Sequence, residues 1–144
     1  MPRKTFWEAT HCASNFGNQQ ILDVKVLEHF IQNRNDIGRS YKIEALKHNE
    51  NFAKEYLKVF TNISNPGKLF RKITIGKYKR DKEGILANIA YVKSLSNFRA
   101  FEKSRAHYKV QCYELKREDD WIFLCTHDTF YYTISYKVYK THFN

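Results

Sequence analysis

The sequence predicts an α+β domain, with two N-terminal helices packed on one face of a four- to five-stranded antiparallel sheet and a short helix inserted between strands. Three observations carry this. Apolar residues recur at helical spacing between residues 19 and 60, the period shortens to 2 beyond Gly67, and turn-forming clusters at residues 62–67, 81–84 and 118–120 punctuate the change. The 144 residues hold only 5 Gly and 2 Pro beside 11 Phe, 10 Tyr and 2 Trp, a composition that excludes collagen-like and low-complexity chains. A chain of this length buries roughly 68–70% of its unfolded surface. One domain over residues 1–144 is therefore expected, comprising an N-terminal arm or edge strand (1–17), a helical pair (18–62) and an antiparallel meander (68–142).

Each element has its own justification. From Gln19 to Arg34, Leu22, Val26 and Phe30 run beside Val24, Leu27 and Ile31 as a broad stripe, with Asn18 placed to cap the helix and Gly38 to stop it. From Lys42 to Phe60, Ile43, Leu46, Ala53, Tyr56, Leu57 and Phe60 share a helical face, and the stretch from Asn62 to Gly67 ends it. Ile73 and Ile75 alternate along a strand from Lys68 to Arg80, and Asp81-Lys82-Glu83-Gly84 reads as a hairpin turn. Ile85 to Val92, apolar on both faces except at Asn88, reads as a central strand. Phe98 and Phe101, three apart among charges between Ser96 and Ala106, suit a short helix. Tyr108, Val110 and Cys112 open a strand running to Arg117, Glu118-Asp119-Asp120 turns it, and Trp121–Thr126 returns. His127-Asp128 is placed as a hairpin loop before the row Phe130, Tyr132, Ile134, Tyr136 and Val138, which stands opposite Thr133, Ser135 and Lys137.

Cys12, Cys112 and Cys125 are odd in number and form no C-x-x-C, so reduced thiols in a cytoplasmic protein are expected. The N-terminus leads into polar residues rather than a signal peptide, and no run approaches the ~18 apolar residues of a bilayer span, so no membrane partner is expected. The sequence calls for no cofactor: the five glycines form no G-x-G, and there is no H-E-x-x-H or zinc-ligand spacing.

Charge is the strongest functional signal. The chain carries 25 Lys+Arg against 15 Asp+Glu, a net +10. Between Lys68 and Lys109, twelve basic residues face three acidic ones, so a net +9 sits in that segment alone. A concentrated positive field draws polyanions, which makes nucleic acid the expected partner and RNA or another single strand the favoured form, because rings interleave the charges. The candidate binding residues are Lys68, Arg71, Lys72, Lys77, Tyr78, Lys79, Arg80, Arg99, Lys103, Arg105 and Lys109.

Cleavage of RNA can proceed without a metal, because the 2′-hydroxyl is an internal nucleophile and His, Arg and Tyr can move the protons and hold the phosphate. His107, His127, Arg105 and Tyr136 are the candidate catalytic residues of such a ribonuclease, with His142 as a further histidine. Two helices followed by a basic antiparallel sheet resemble, in element order, the RelE and barnase-type ribonuclease toxins. The run Val110 to Lys116 ends in Glu114-x-Lys116 and resembles the final motif of PD-(D/E)xK nucleases. That resemblance implies a Mg²⁺ held by Glu114 and a water assisted by Lys116, with Asp81 or Glu102 as second ligand, since no Asp lies between Ile85 and Cys112. A different class of function rests on the surplus of rings around Phe130-Tyr131-Tyr132: a non-enzymatic module using an aromatic-lined sheet face for a protein partner or a homodimer.

Overall fold

The computed structural model describes residues 21–25, 27–28 and 42–141. The expected arm at 1–17, the Asn18 cap, Gly38, Cys12 and His142 lie outside these residues. The α+β class holds, but several elements exchange identity. Ile21–Leu22 is a short strand, β1, rather than helix. Helical residues follow at 24–25 and 27–28, where the Asp23 carboxylate accepts from Lys25 N–H at 2.7 Å, so Asp23 does the capping.

The second expected helix splits. Lys42–Ala45 (β2) and Lys47–His48 (β3) are strands, and only Phe52–Asn62 (α1) is helical. Lys42-Ile43-Glu44-Ala45 alternates exposed and buried, a period-2 signal that the spacing of Ile43 and Leu46 conceals. After α1 come a 3₁₀ turn at Pro66–Lys68, β4 at Lys72–Ile75, a second 3₁₀ turn at Lys77–Lys79 and α2 at Lys82–Lys93. The strand expected over 68–80 thus shrinks to four residues. Gly76, with φ +92°, ends it in a conformation where a side chain would collide with Ile85.

The expected turn at Asp81–Gly84 and central strand at Ile85–Val92 give way to α2, with Asp81 at its N-cap position. Its buried residues Ile85, Asn88, Ile89 and Val92 fall on one helical face. Asn88, the one polar residue in the run, lies on that buried face instead of interrupting a strand. Its Oδ1 accepts from Ala53 N–H at 2.6 Å in the first turn of α1, and its Nδ2 donates to Asn49 O (2.9 Å) and Gly84 O (2.7 Å). Asn88 therefore supplies the side-chain cap that α1 lacks from Asn51 and locks the two helices together.

The expected short helix at 96–106 is β5, Arg99–Ser104. Phe98 and Phe101, three apart, diverge to opposite sides: Phe98 meets Phe123 edge-on at 6.3 Å in the main core, while Phe101 joins a second cluster with Val110, Cys112, Ile122 and Leu124. β6 (Lys109–Lys116), β7 (Trp121–Asp128) and β8 (Thr133–Lys140) lie close to expectation, except that His127 and Asp128 end β7 and the loop is 129–132.

Among the described residues, the main sheet has six strands in the order β2-β4-β8-β7-β6-β5. β2 and β4 are parallel, joined through α1, and the remaining pairings are antiparallel, so the sheet is mixed. β1 and β3 form a separate parallel pair. One face of the main sheet is covered: Ile73, Ile75, Phe123, Cys125, Ile134, Tyr136 and Val138 pack with Phe52, Tyr56 and Phe60 of α1 and Ile85, Ile89 and Val92 of α2. Ring pairs such as Phe52–Tyr136 (5.4 Å) and Tyr56–Phe123 (5.7 Å) build its centre. Among the described residues, no helix is long and apolar enough to cross a membrane.

Candidate nucleic-acid interface

Strand alternation dictates the open face. With Ile73, Tyr136 and Ile43 turned toward the helices, their neighbours Lys72, Lys137 and Lys42 must turn the other way. The register then places Lys42 opposite Lys72 and Lys72 opposite Lys137, a row of three lysines straight across three adjacent strands. Like charges directly opposed on one face destabilise a sheet, each pair by on the order of a few tenths of a kcal/mol.

Around this row lies a cleft of about 460 Å³ lined by Lys42, Arg71, Lys72, Lys103, Lys137 and Lys140 with Leu124 and Tyr139. Among the described residues, six cations line it and no carboxylate does. The nearest acids are engaged elsewhere: Glu44 with Lys77, and Glu114 with Arg99 at 3.1 Å. Lys42 and Lys103 come from strands at opposite edges, which a flat six-stranded sheet would hold about 24 Å apart. The sheet therefore curls around its open face, and Phe101 under β5 fills the angle against Leu124 and Val110.

The charges sense one another. Burial holds the Lys72 ammonium below the ordinary lysine value, and Lys42, Arg105 and Lys103 push the same way. Lys137 is lowered by burial first, then by Lys72, Lys103, Arg105 and Arg71. Arg105, from the β5–β6 hairpin, thus belongs to the same field.

Of the residues singled out from sequence, Arg71, Lys72 and Lys103 line this cleft, and Arg105 acts on it through its charge. Lys77 and Tyr78 line a neighbouring depression, and Lys79 lies over the Tyr132 ring at 5.0 Å. Arg99 stacks on Phe101 at 4.3 Å and pairs with Glu114. Lys68 sits in the first 3₁₀ turn, while Arg80 and Lys109 are exposed away from the cleft lining. Lys42, Lys137 and Lys140 were missed. For Lys42 and Lys137 the signal was available, since each alternates with buried apolar neighbours on its strand.

The four candidate catalytic residues do not converge. His107 is exposed in the β5–β6 hairpin. His127 stands opposite Ile134 in the rows turned toward the helices, half-buried, and that burial lowers its pKa against the pull of Asp128. Tyr136 is wholly buried in the core. Its hydroxyl hydrogen-bonds His48 Nε2 at 2.8 Å, while the Asp81 Oδ2 carboxylate oxygen accepts from His48 Nδ1 at 2.7 Å and from the His48 backbone N–H at 2.9 Å. This buried Asp81–His48–Tyr136 chain ties β3, the start of α2 and β8 together beneath the sheet. Asp81 is thereby committed, and Glu102, bonded to Gln111, faces away from Glu114. Lys116 lies 3.5 Å from Asp120. Among the described residues, no three His, Cys, Asp or Glu side chains gather as metal ligands.

The element order that resembled the ribonuclease toxins is replaced by strands between the helices and a parallel β2–β4 pair. Of the aromatic row expected for a dimer face, Ile134, Tyr136 and Val138 are buried under the helices, leaving Phe130, Tyr131 and Tyr132 exposed. Comparison with known protein families, with curated proteins and with solved structures finds no match for this chain.

Proposed function

We propose that this protein binds single-stranded nucleic acid, RNA foremost, along the open face of its sheet. The observation that carries the reading is the in-register row Lys42–Lys72–Lys137 inside a cleft lined by six cations. A row of like charges that weakens the sheet is retained most simply for an anion that neutralises it. The cleft lies between curled sheet edges and suits one backbone strand, while Tyr139 on its wall and the nearby exposed rings suit unstacked bases.

If all six cations meet phosphates, the logarithm of affinity falls with the logarithm of salt at a slope of about −4. Filter binding of a 12-nucleotide oligo(U) across a salt series tests this. A slope between −3 and −5 is the expected result, and absent or salt-independent binding overturns the reading. The reading is one of binding: with His107, His127 and Tyr136 dispersed, total RNA incubated with the protein in EDTA is expected to stay intact.

A further inference from the structure

Beyond the lysine row, the open face continues to an end that the charges do not explain. Thr74 follows Lys72 on β4, and Thr133 lies four residues before Lys137 on β8, both on the same side as the lysines. These two threonines floor a depression of about 400 Å³ whose walls include Tyr78 and Tyr131. Four residues of strand are about 13 Å, roughly two steps of an extended nucleotide chain beyond Lys137.

Four of the five large apolar side chains most exposed among the described residues gather here: Tyr78, Phe130, Tyr131 and Tyr132. Tyr78 is 82% exposed and is held, with Lys79, at positive φ (63° and 60°), a conformation that costs a non-glycine residue energy. The opposite wall is braced. Asp128 Oδ1 accepts from the Phe130 and Tyr131 N–H groups (3.0 and 2.9 Å), and its Oδ2 accepts from the Tyr108 hydroxyl at 3.0 Å. Phe130 stacks on Tyr108 at 4.8 Å with 17° between planes, and Tyr131 stands edge-on to Phe130 at 4.9 Å. Rings presented to solvent on a fixed backbone are a poor solution for solubility and a good one for stacking.

We infer that the depression between Tyr78 and Tyr131 is a stacking subsite for one unpaired nucleobase of the strand whose phosphates lie on Lys72 and Lys137. The inference deepens the binding reading above and rests on it. It specifies the ligand class: the polymer must be single-stranded at this point and must carry a base, so a bare polyanion fills only the lysine cleft. A double helix is disfavoured because its bases are already stacked.

The test compares dT12 with the same oligonucleotide made abasic at every position, which keeps the charge and removes the rings. Wild-type protein is expected to bind dT12 about 5- to 150-fold more tightly than the abasic strand. Tyr78→Ala and Tyr131→Ala are expected to lose most of that ratio by weakening dT12 alone, with abasic affinity and salt slope unchanged; Tyr131→Phe should retain it. Both tyrosines are exposed, and an unchanged urea midpoint verifies that each variant is folded. Wild type that binds both strands equally, or alanine variants that keep the full ratio, would remove the subsite while leaving the cationic cleft standing. A wild type that binds neither strand removes both.

Discussion

The two faces of one sheet, built by the same strands in the same register, have opposite chemistry. The covered face is aromatic: Phe52, Tyr56, Phe123 and Tyr136 interlock, and Asp81, His48 and Asn88 beneath them are hydrogen-bonded. The open face opposes lysine to lysine across β2, β4 and β8, and at its end Tyr78, Phe130, Tyr131 and Tyr132 stand in solvent. A one-residue step along β4 or β8 crosses from one regime to the other. Stability and binding are therefore separable here residue by residue, so a substitution on one face should leave the other property nearly untouched.

The largest break should come from the covered face. Asp81→Ala leaves His48 Nδ1 and the His48 N–H without their buried acceptor and should cost about 3 kcal/mol of unfolding free energy in urea titration. Asn88→Ala strips Ala53 N–H and two carbonyls of their partner and should cost about 2 kcal/mol. Both variants should keep wild-type affinity for oligo(U) under conditions where they are folded.

Alkaline titration sharpens the contrast by sign. Burial raises the Cys125 thiol well above 9.0 and the Tyr136 hydroxyl well above 10.0, with their neighbours adding to both. The unfolded chain then loses these protons first. Stability from each group is intact below the unfolded pKa and falls above it, by up to about 1.4 kcal/mol per pH unit per group. On the open face, Lys72 and Lys137 have pKa values lowered from 10.5, so the cost of holding them charged is present at neutral pH and is relieved as pH rises through their folded values. Cys125→Val should flatten the alkaline loss in denaturation curves from pH 8 to 11, whereas Lys72→Met should remove part of the opposing gain.

The smallest expected effect on stability carries the largest on binding. Lys137→Thr relieves the pair with Lys72 and should raise stability by a few tenths of a kcal/mol. The same change should shift the salt slope for oligo(U) toward zero by about 0.7. A fall in stability with an unchanged slope would mean that the lysine row is structural.

Legibility from sequence followed how local the decisive forces were. The β6–β8 meander was readable because hairpin neighbours pair across short turns and Ile134, Tyr136 and Val138 alternate cleanly. The segment from Ile85 to Val92 was not. Its β-branched residues favour a strand, and only the contacts of Asn88 with Ala53, 35 positions away, reveal which face of a helix is buried. Residues 42–48 failed for a related reason: β2 finds its partner in β4, across α1. The charge of the site was visible as a run between Lys68 and Lys109, but its geometry was not, because Lys42 and Lys137 join it from distant strands.

Lysine acetylation footprinting with and without dT12 tests the central claim most directly, by reporting both faces at once. Bound strand should protect Lys42, Lys72, Lys103 and Lys137 by several-fold. Lys54 and Lys58, exposed on α1 beyond the covered face, should react at unchanged rates. Protection spread evenly over both groups, or concentrated on Lys54 and Lys58, would contradict a binding face defined by the open side of the sheet.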